Sequence, residues 1–254
     1  MENKTLMQYF EWYLPENGLH WDRCLAQAKA LKEAGIDMVW LPPAYKGAAG
    51  SRSVGYDVYD TYDLGEFDQK GSTATKYGTR EAYLKAVKGL QKAGVEVYTD
   101  IVLNQMMGAD GTEEVAAEEN AGNNRELELR DDFKILAWTK FLFPGRKGKY
   151  SDFCWSAENF SGTDWDEKTK KGGIYKFEGK EWSRQTDTEN VNYDYLMGVD
   201  LDMSCPKTVE ALETWGRWYI DTVGMDGFRL DAVKHISYDF YESWLKKMRE
   251  HASL

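Results

Sequence analysis

The feature that most constrains the fold is an alternation of short apolar runs with longer amphipathic segments. Strand-like apolar runs lie at 6–12, 38–41, 95–103 and 227–230. Segments with the 3.6-residue period of a helix lie at 21–34, 80–93, 208–223 and 238–249. Gly35 and Gly94 end the first two helical segments, and Pro42 ends the second apolar run. This alternation is typical of a parallel sheet covered by helices, so we predict an α/β fold.

The alternation stops between Gln105 and about Pro206, where Gly, Asn, Asp, Trp and Tyr are frequent. About a hundred residues are too many for a structureless loop inside a compact domain. We therefore predict an inserted β-rich subdomain at 105–206, which includes a strand at 174–177. The remaining residues, 1–104 and 207–254, are predicted to form the N-terminal half, about four strands, of a TIM-type (β/α)8 barrel.

The charge and the cysteines of the chain exclude several classes of protein. The formal net charge is −11, from 43 acidic and 32 basic residues, which argues against sequence-independent binding of nucleic acid. No apolar run has the length of a membrane span, and the first residues lack the pattern of a signal peptide. The three cysteines are scattered, without the spacing of metal ligands. We expect a cytoplasmic protein with no nucleic-acid or membrane partner.

The stretch Gly227–His235 places four charged or titratable side chains at and beyond the last predicted strand. Because side chains alternate along a strand, Arg229 and Asp231 face the same way. A guanidinium beside a carboxylate favours the ionised form that a nucleophile needs. For each residue taken singly, a solvated charge cluster at the end of a strand is the competing interpretation. The four together favour a functional site.

Motifs along nearly the whole chain resemble those of one enzyme family. They are Thr5–Tyr13, Trp40–Gly47, Gly55–Asp57, Asp100–Asn104, Asn192–Met197 and Gly227–His235. Together they resemble the α-amylase family of glycoside hydrolases, and most closely its bacterial liquefying-type members. The resemblance implies a retaining hydrolase that cleaves internal α-1,4-glucosidic bonds of starch, glycogen or maltooligosaccharides.

The resemblance also implies roles for individual residues. Asp231 would be the catalytic nucleophile, Arg229 would hold it ionised, and Asp100 would support the arginine. Four further side chains would contact the sugar: Tyr56, Gln105, Lys234 and His235. The resemblance also implies a structural Ca²⁺ ion, whose ligands would be Asn104, Asp194, Asp200 and the backbone carbonyl of His235. Oxygen ligands suit this hard cation, although on the residues alone Asp194 and Asp200 read as surface carboxylates.

The chain departs from the family pattern at several positions. Gln105 stands where relatives carry a histidine, and glutamine donates a hydrogen bond but carries no charge. We therefore expect weaker stabilisation of the transition state. Relatives with an additional metal cluster carry aspartates at positions where this chain has serine, so we expect no such cluster; the serines are Ser161, Ser183 and Ser204. For Trp12 and Tyr13 we expect packing in the core.

The general acid of the family is a glutamate on the fifth strand, and the sequence reaches Leu254 before that strand. Retaining hydrolysis needs two carboxyl groups about 5–5.5 Å apart. The chain would be a fragment of a longer enzyme, a half that pairs with another chain, or a product that has lost catalysis. The alternatives to a hydrolase are a catalytically inactive glucan-binding or interaction module and a related transglycosylase. Since four parallel strands leave two open edges, we expect a homodimer or a soluble aggregate.

Overall fold

The structure is a computed structural model that describes residues 3–253. The helices within this range are α1 (His20–Glu33), α2 (Arg80–Lys92), α3 (Pro206–Val223) and α4 (Tyr238–Ala252). Single 3₁₀ turns lie at Gly50–Arg52, Ala157–Asn159 and Val233–His235. The strands are β1 (Leu6–Gln8), β2 (Met38–Leu41), β3 (Lys46–Gly47), β4 (Val58–Asp60), β5 (Glu96–Ile101), β6 (Gln105–Met106), β7 (Gly111–Ala121), β8 (Asn124–Lys140), β9 (Phe160–Asp166), β10 (Lys171–Phe177), β11 (Val199–Leu201) and β12 (Gly227–Leu230). The four predicted helices are all present.

The described residues divide into two compact units. The first comprises residues up to 102, 144–151 and 218–231, and the second comprises 103–143, 152–217 and residues from 232 onward. The predicted domains have other boundaries, because the prediction assigns all of 207–254 to the partial barrel. That assignment followed the alternation of elements along the chain, and it stays a prediction.

The first unit contains a parallel sheet with the strand order β1-β2-β5-β12. Val39 and Leu41 of β2 and Val97 of β5 are fully buried. Helix α2 begins at the N-cap Thr79, whose hydroxyl accepts a hydrogen bond from the Ala82 N–H. Within residues 3–253 this sheet is open, with β1 and β12 at its edges. The structure therefore shows the predicted parallel strands without a closed barrel.

A buried ionic network fixes the loops that follow β2 in the first unit. Lys46 is fully buried, and its Nζ donates to the carbonyls of Ser72 and Thr73 at 2.6 and 2.7 Å. Burial lowers the pKa of Lys46, and the carboxylate of Asp63, 3.4 Å from Nζ, opposes that effect. Because each buried charge is paired or hydrogen-bonded, removal of one partner would be strongly destabilising. The network gives these loops a defined conformation.

The second unit contains an antiparallel sheet with the order β6-β11-β9-β10-β7-β8. These strands lie within 105–201, inside the predicted insertion, and the strand predicted at 174–177 is the end of β10. The long hairpin of β7 and β8 forms one side of the sheet. Among residues 3–253, no helix is both long enough and apolar enough to cross a membrane.

Candidate active site and candidate cation site

The parallel sheet brings together the three residues predicted to form the catalytic group. Arg229 on β12 pairs in register with Asp100 on β5, and its Nη1 lies 3.1 and 3.3 Å from the two carboxylate oxygens of Asp100. The same Nη1 donates to Asp231 Oδ1 at 2.5 Å. One guanidinium therefore bridges two carboxylates. The arrangement agrees with the predicted support of Asp231 by Arg229 and of Arg229 by Asp100, and the catalytic roles themselves stay predictions.

Asp100 is the most buried carboxylate of this group, with no exposed surface. It accepts hydrogen bonds from the indole N–H of Trp40 and the hydroxyl of Tyr56, both at 2.9 Å. Burial raises the pKa of Asp100 to about 6, against the opposing effects of Arg229 and Tyr56. Its ionised form therefore depends on the positive charge of Arg229, whose guanidinium carbon also lies 4.4 Å from the Trp40 ring centroid.

Tyr56 owes its position to the glycine that precedes it. Gly55 has a φ of +105°, and a Cβ atom at this residue would lie 2.6 Å from the Cβ of Pro43. A larger residue would meet both a strained backbone and a clash. Burial and the nearby Asp100 raise the pKa of Tyr56, so the phenol stays protonated and donates its hydrogen bond to Asp100.

The expectation that Trp12 and Tyr13 pack in the core is wrong. Trp12 is 58% exposed and Tyr13 is 87% exposed. The Trp12 ring is parallel to the ring of Tyr56, with an interplanar angle of 1° and a centroid separation of 6.1 Å. The predicted strand extends to residue 12, whereas β1 ends at Gln8 and 12–13 form a turn in which both side chains are exposed. Trp12 and Tyr56 form an aromatic platform in the first unit.

The side chains of three predicted calcium ligands, Asn104, Asp194 and Asp200, are neighbours in the second unit. Asn104 Nδ2 is 3.5 Å from Asp200 Oδ1, and Asn104, Asp194 and Asp200 are all buried. Burial, together with neighbouring carboxylates, raises the pKa of Asp194 to about 7 and that of Asp200 well above its ordinary value. His235 is buried as well, and its Nδ1 lies 2.6 Å from the carbonyl oxygen of Tyr193.

This donor set fits a hard divalent cation. It consists of two carboxylates and one amide oxygen, and a bound cation would remove the cost of burying two negative charges. Among residues 3–253, no group of three or more His, Cys, Asp or Glu side chains is arranged to hold a metal ion. The predicted set contains only two such side chains as ligands, because its other oxygens come from Asn104 and a backbone carbonyl.

The remaining predicted sugar contacts, Gln105 and Lys234, also belong to the second unit. Gln105 is buried on β6, opposite Asp200 of β11. The Nζ of Lys234 lies 2.6 Å from Glu189 Oε2 and 4.6 Å from the ring centroid of Tyr193. Lys234 is thus held by an ion pair, and a sugar hydroxyl would have to share its ammonium group with Glu189.

A groove in the second unit was missed by the sequence analysis. It has a volume of about 440 Å³, and its lining includes Trp138 and Trp165, which are 40% and 37% exposed. Both indole N–H groups donate to Glu167 Oε2, at 3.1 and 2.9 Å. The signal for Trp138 was present in the sequence, because it alternates with Ala137 and Thr139 along β8 and so faces away from their buried side.

Three comparisons relate this chain to known proteins. The family model "Alpha amylase, catalytic domain" matches residues 25–251. The chain is 53% identical over 249 residues to the alpha-amylase of Geobacillus stearothermophilus, a match that covers 97% of this chain and 45% of that protein. It is 43% identical over 254 residues to the cytoplasmic alpha-amylase of Escherichia coli (strain K12), with 98% of this chain and 51% of that protein covered.

The solved structures agree in fold. The alpha-amylase of Geobacillus thermoleovorans, crystallised with acarbose, aligns with a TM-score of 0.55 at 19% identity, over 98% of this chain and 42% of that one. An Anoxybacillus alpha-amylase aligns with a TM-score of 0.58 at 17% identity, over 99% and 45%. The chain thus spans about half the length of the relatives it matches.

Proposed function

The chain belongs to the alpha-amylase catalytic-domain family, and on that premise we propose that it carries the nucleophile of a retaining α-glucan hydrolase. The substrate would be the internal α-1,4-glucosidic bonds of starch-like or glycogen-like glucans, including maltooligosaccharides. The observation that carries this proposal is the bridge that Arg229 makes between Asp231 and Asp100. It fixes the carboxylate of Asp231 directly after β12, as a positioned nucleophile requires.

In the proposed reaction, a carboxylate oxygen of Asp231 attacks the anomeric carbon and the glycosidic bond breaks. A glycosyl ester forms, and water then hydrolyses it with net retention of configuration. Protonation of the leaving oxygen needs a second carboxyl group about 5–5.5 Å from the first. The resemblance places that group in the part of the relatives that this chain does not match.

The exposed aromatic side chains supply surfaces for sugar rings. The platform of Trp12 and Tyr56 lies beside Asp100, to which Tyr56 donates a hydrogen bond. The groove with Trp138 and Trp165 offers two further indoles, and Glu167 between them can accept hydrogen bonds from sugar hydroxyls. Both features suit a neutral polyhydroxylated ligand, which the net negative charge of the chain does not repel.

A structural Ca²⁺ ion forms part of this proposal. Asn104, Asp194 and Asp200 would hold it through side-chain oxygens, with the carbonyl of His235 as a further ligand. The ion would neutralise two carboxylates whose burial otherwise disfavours their charged forms. Asn104 precedes β6 and Asp200 lies on β11, so the bound ion would join separate segments of the second unit.

Two further features of the proposal concern location and assembly. A cytoplasmic location is supported by the similarity to the E. coli protein that carries that description. A homodimer through the open edges at β1 and β12 stays a prediction, which light scattering at micromolar concentration tests. A monomer under those conditions would contradict it.

The test of function is reducing-sugar release from soluble starch by the purified chain and by an Asp231→Asn variant. Because the second carboxyl group is missing from the matched part, the hydrolase proposal predicts very low activity of this chain. Asp231→Asn should abolish that activity, and Asp22→Asn, a change at an exposed residue of α1, should leave it unchanged. If the wild type and both variants bind maltooligosaccharides but none of them cleaves starch, a glucan-binding module is favoured instead. If the chain neither binds nor cleaves these glucans, both the hydrolase proposal and the glucan-binding alternative are wrong.

A further inference from the structure

Arg125, near the start of β8, is a buried cation without a carboxylate partner within residues 3–253. The residue is only 8% exposed, and neither Nε nor Nη1 has a hydrogen-bond partner within residues 3–253. Burial lowers the pKa of this guanidinium, and nearby Tyr193 and Tyr195 act in the opposite direction. A buried and uncompensated charge is costly to the fold, so it calls for an explanation other than stability.

The contacts of Arg125 are two tyrosine rings. The guanidinium carbon lies 5.6 Å from the ring centroid of Tyr193 and 5.7 Å from that of Tyr195, within the range of cation–π attraction. Its backbone N–H donates to the carbonyl of Asn190 at 3.0 Å. Arg125 therefore joins β8 to the 190–195 loop through both its backbone and its side chain. A planar cation serves two rings at once, which neither an ammonium group nor an aliphatic side chain reproduces.

The residue between the two tyrosines is Asp194. Its carboxylate accepts a hydrogen bond from the Ser183 N–H at 2.9 Å, and its own N–H donates to Asn192 Oδ1 at 2.9 Å. The Tyr195 hydroxyl donates to the Gly198 carbonyl at 3.1 Å, which fixes the segment on the C-terminal side. The conformation of Asp194 is thus set by neighbours that Arg125 holds on both sides.

We propose that Arg125 is a positioning residue for the cation site of the second unit. By holding the rings of Tyr193 and Tyr195, it fixes the carboxylate of Asp194 in the orientation in which it binds a divalent cation. This inference rests on the calcium site proposed above. Arg125 would supply no ligand atom, and it lies on β8, which carries none of the proposed ligands.

The experiment measures calcium affinity by calorimetric titration of the metal-free protein for Arg125→Met, Arg125→Lys and Arg130→Met. Arg130 is a matched control, because it lies on the same strand with its guanidinium 3.7 Å from the Phe133 ring but is exposed. Loss of a residue that orients a metal ligand typically lowers affinity by about 10- to 100-fold. We expect such a loss in Arg125→Met, a smaller loss in Arg125→Lys and none in Arg130→Met.

A second readout separates positioning from a general contribution to stability. Removal of an uncompensated buried charge should leave the melting temperature in chelator unchanged or raised. A fall in melting temperature parallel to the loss of affinity would overturn the proposal, as would calcium binding by Arg125→Met as tight as that of the wild type. If the wild-type protein binds no calcium, the proposed metal site fails, and hydrogen exchange at 190–197 decides the role of Arg125. Faster exchange in Arg125→Met than in Arg130→Met would support it, and equal exchange would overturn it.

Discussion

Substitution of Asp100 by asparagine tests the electrostatic account of the candidate active site. In the folded protein burial raises the pKa of Asp100 from 3.8 to about 6, even with Arg229 beside it. One pKa unit corresponds to about 1.4 kcal/mol, so the full effect is about 3 kcal/mol. Asparagine keeps the shape of the side chain but does not titrate, so Asp100→Asn lacks this pH-dependent contribution.

Proton linkage determines whether Asp100 makes the protein more or less stable as the pH rises. Because the pKa is higher in the folded state, the folded wild type binds more protons than the unfolded chain between about pH 3.8 and 6. The contribution of Asp100 is therefore most favourable below the unfolded pKa and is lost as the pH rises through about 6. The free energy of unfolding of the wild type, relative to Asp100→Asn, should fall by roughly 2 kcal/mol between pH 4 and 7.

The assay is urea unfolding of both proteins in chelator at several pH values, followed by near-ultraviolet circular dichroism. The difference in the free energy of unfolding between the wild type and Asp100→Asn isolates the contribution of Asp100, because the other titrating groups occur in both proteins. An Asp22→Asn variant, with the same chemical change at an exposed residue of α1, provides the control for the substitution itself. A wild type that gains relative stability as the pH rises would refute the reasoning, since it would mean that Arg229 outweighs burial and lowers the pKa of Asp100.

Three further outcomes are expected. Trp12→Ala should weaken the binding of maltoheptaose by about 1 kcal/mol, as measured by calorimetry, without lowering the unfolding midpoint, because the ring is mostly exposed. Trp165→Ala should also weaken the binding of maltoheptaose, because Trp165 lines a groove in the second unit. Calcium at about 100 times its dissociation constant should stabilise the wild type by about 2.7 kcal/mol in a thermal unfolding scan, and Asp200→Asn should remove most of that gain.

The sequence predicts the helices and the parallel strands of the first unit well, because each depends on a local pattern. It does not predict β3 or β4, which lie in the stretch after β2 where the sequence predicts a long loop. The buried stripe of α2, which includes Tyr83, Val87 and Leu90, repeats at helical spacing. The resemblance implies the proximity of Asp100 and Arg229, and each lies near the carboxyl end of a predicted parallel strand. Their register, which places them directly opposite one another, required the structure.

The features that sequence analysis missed are formed by residues far apart in the chain. Glu167 receives indole N–H groups from Trp138 and Trp165, which lie on different strands. The contact of Arg125 with Tyr193 and Tyr195 spans about seventy positions and has no periodic signal. The exposure of Trp12 depends on the direction of the chain after β1, which composition does not determine.

The two candidate sites share one physical arrangement, and this gives a last prediction. In each, buried carboxylates need a cation: Arg229 serves Asp100 in the first unit, and the proposed Ca²⁺ ion would serve Asp194 and Asp200 in the second. The arginine is part of the chain, whereas the ion can be removed. Chelation should therefore increase hydrogen exchange at 192–202 and leave exchange at 97–101 unchanged. Equal increases in both segments would contradict the assignment of the ion to the second unit, and no increase in either would contradict the ion itself.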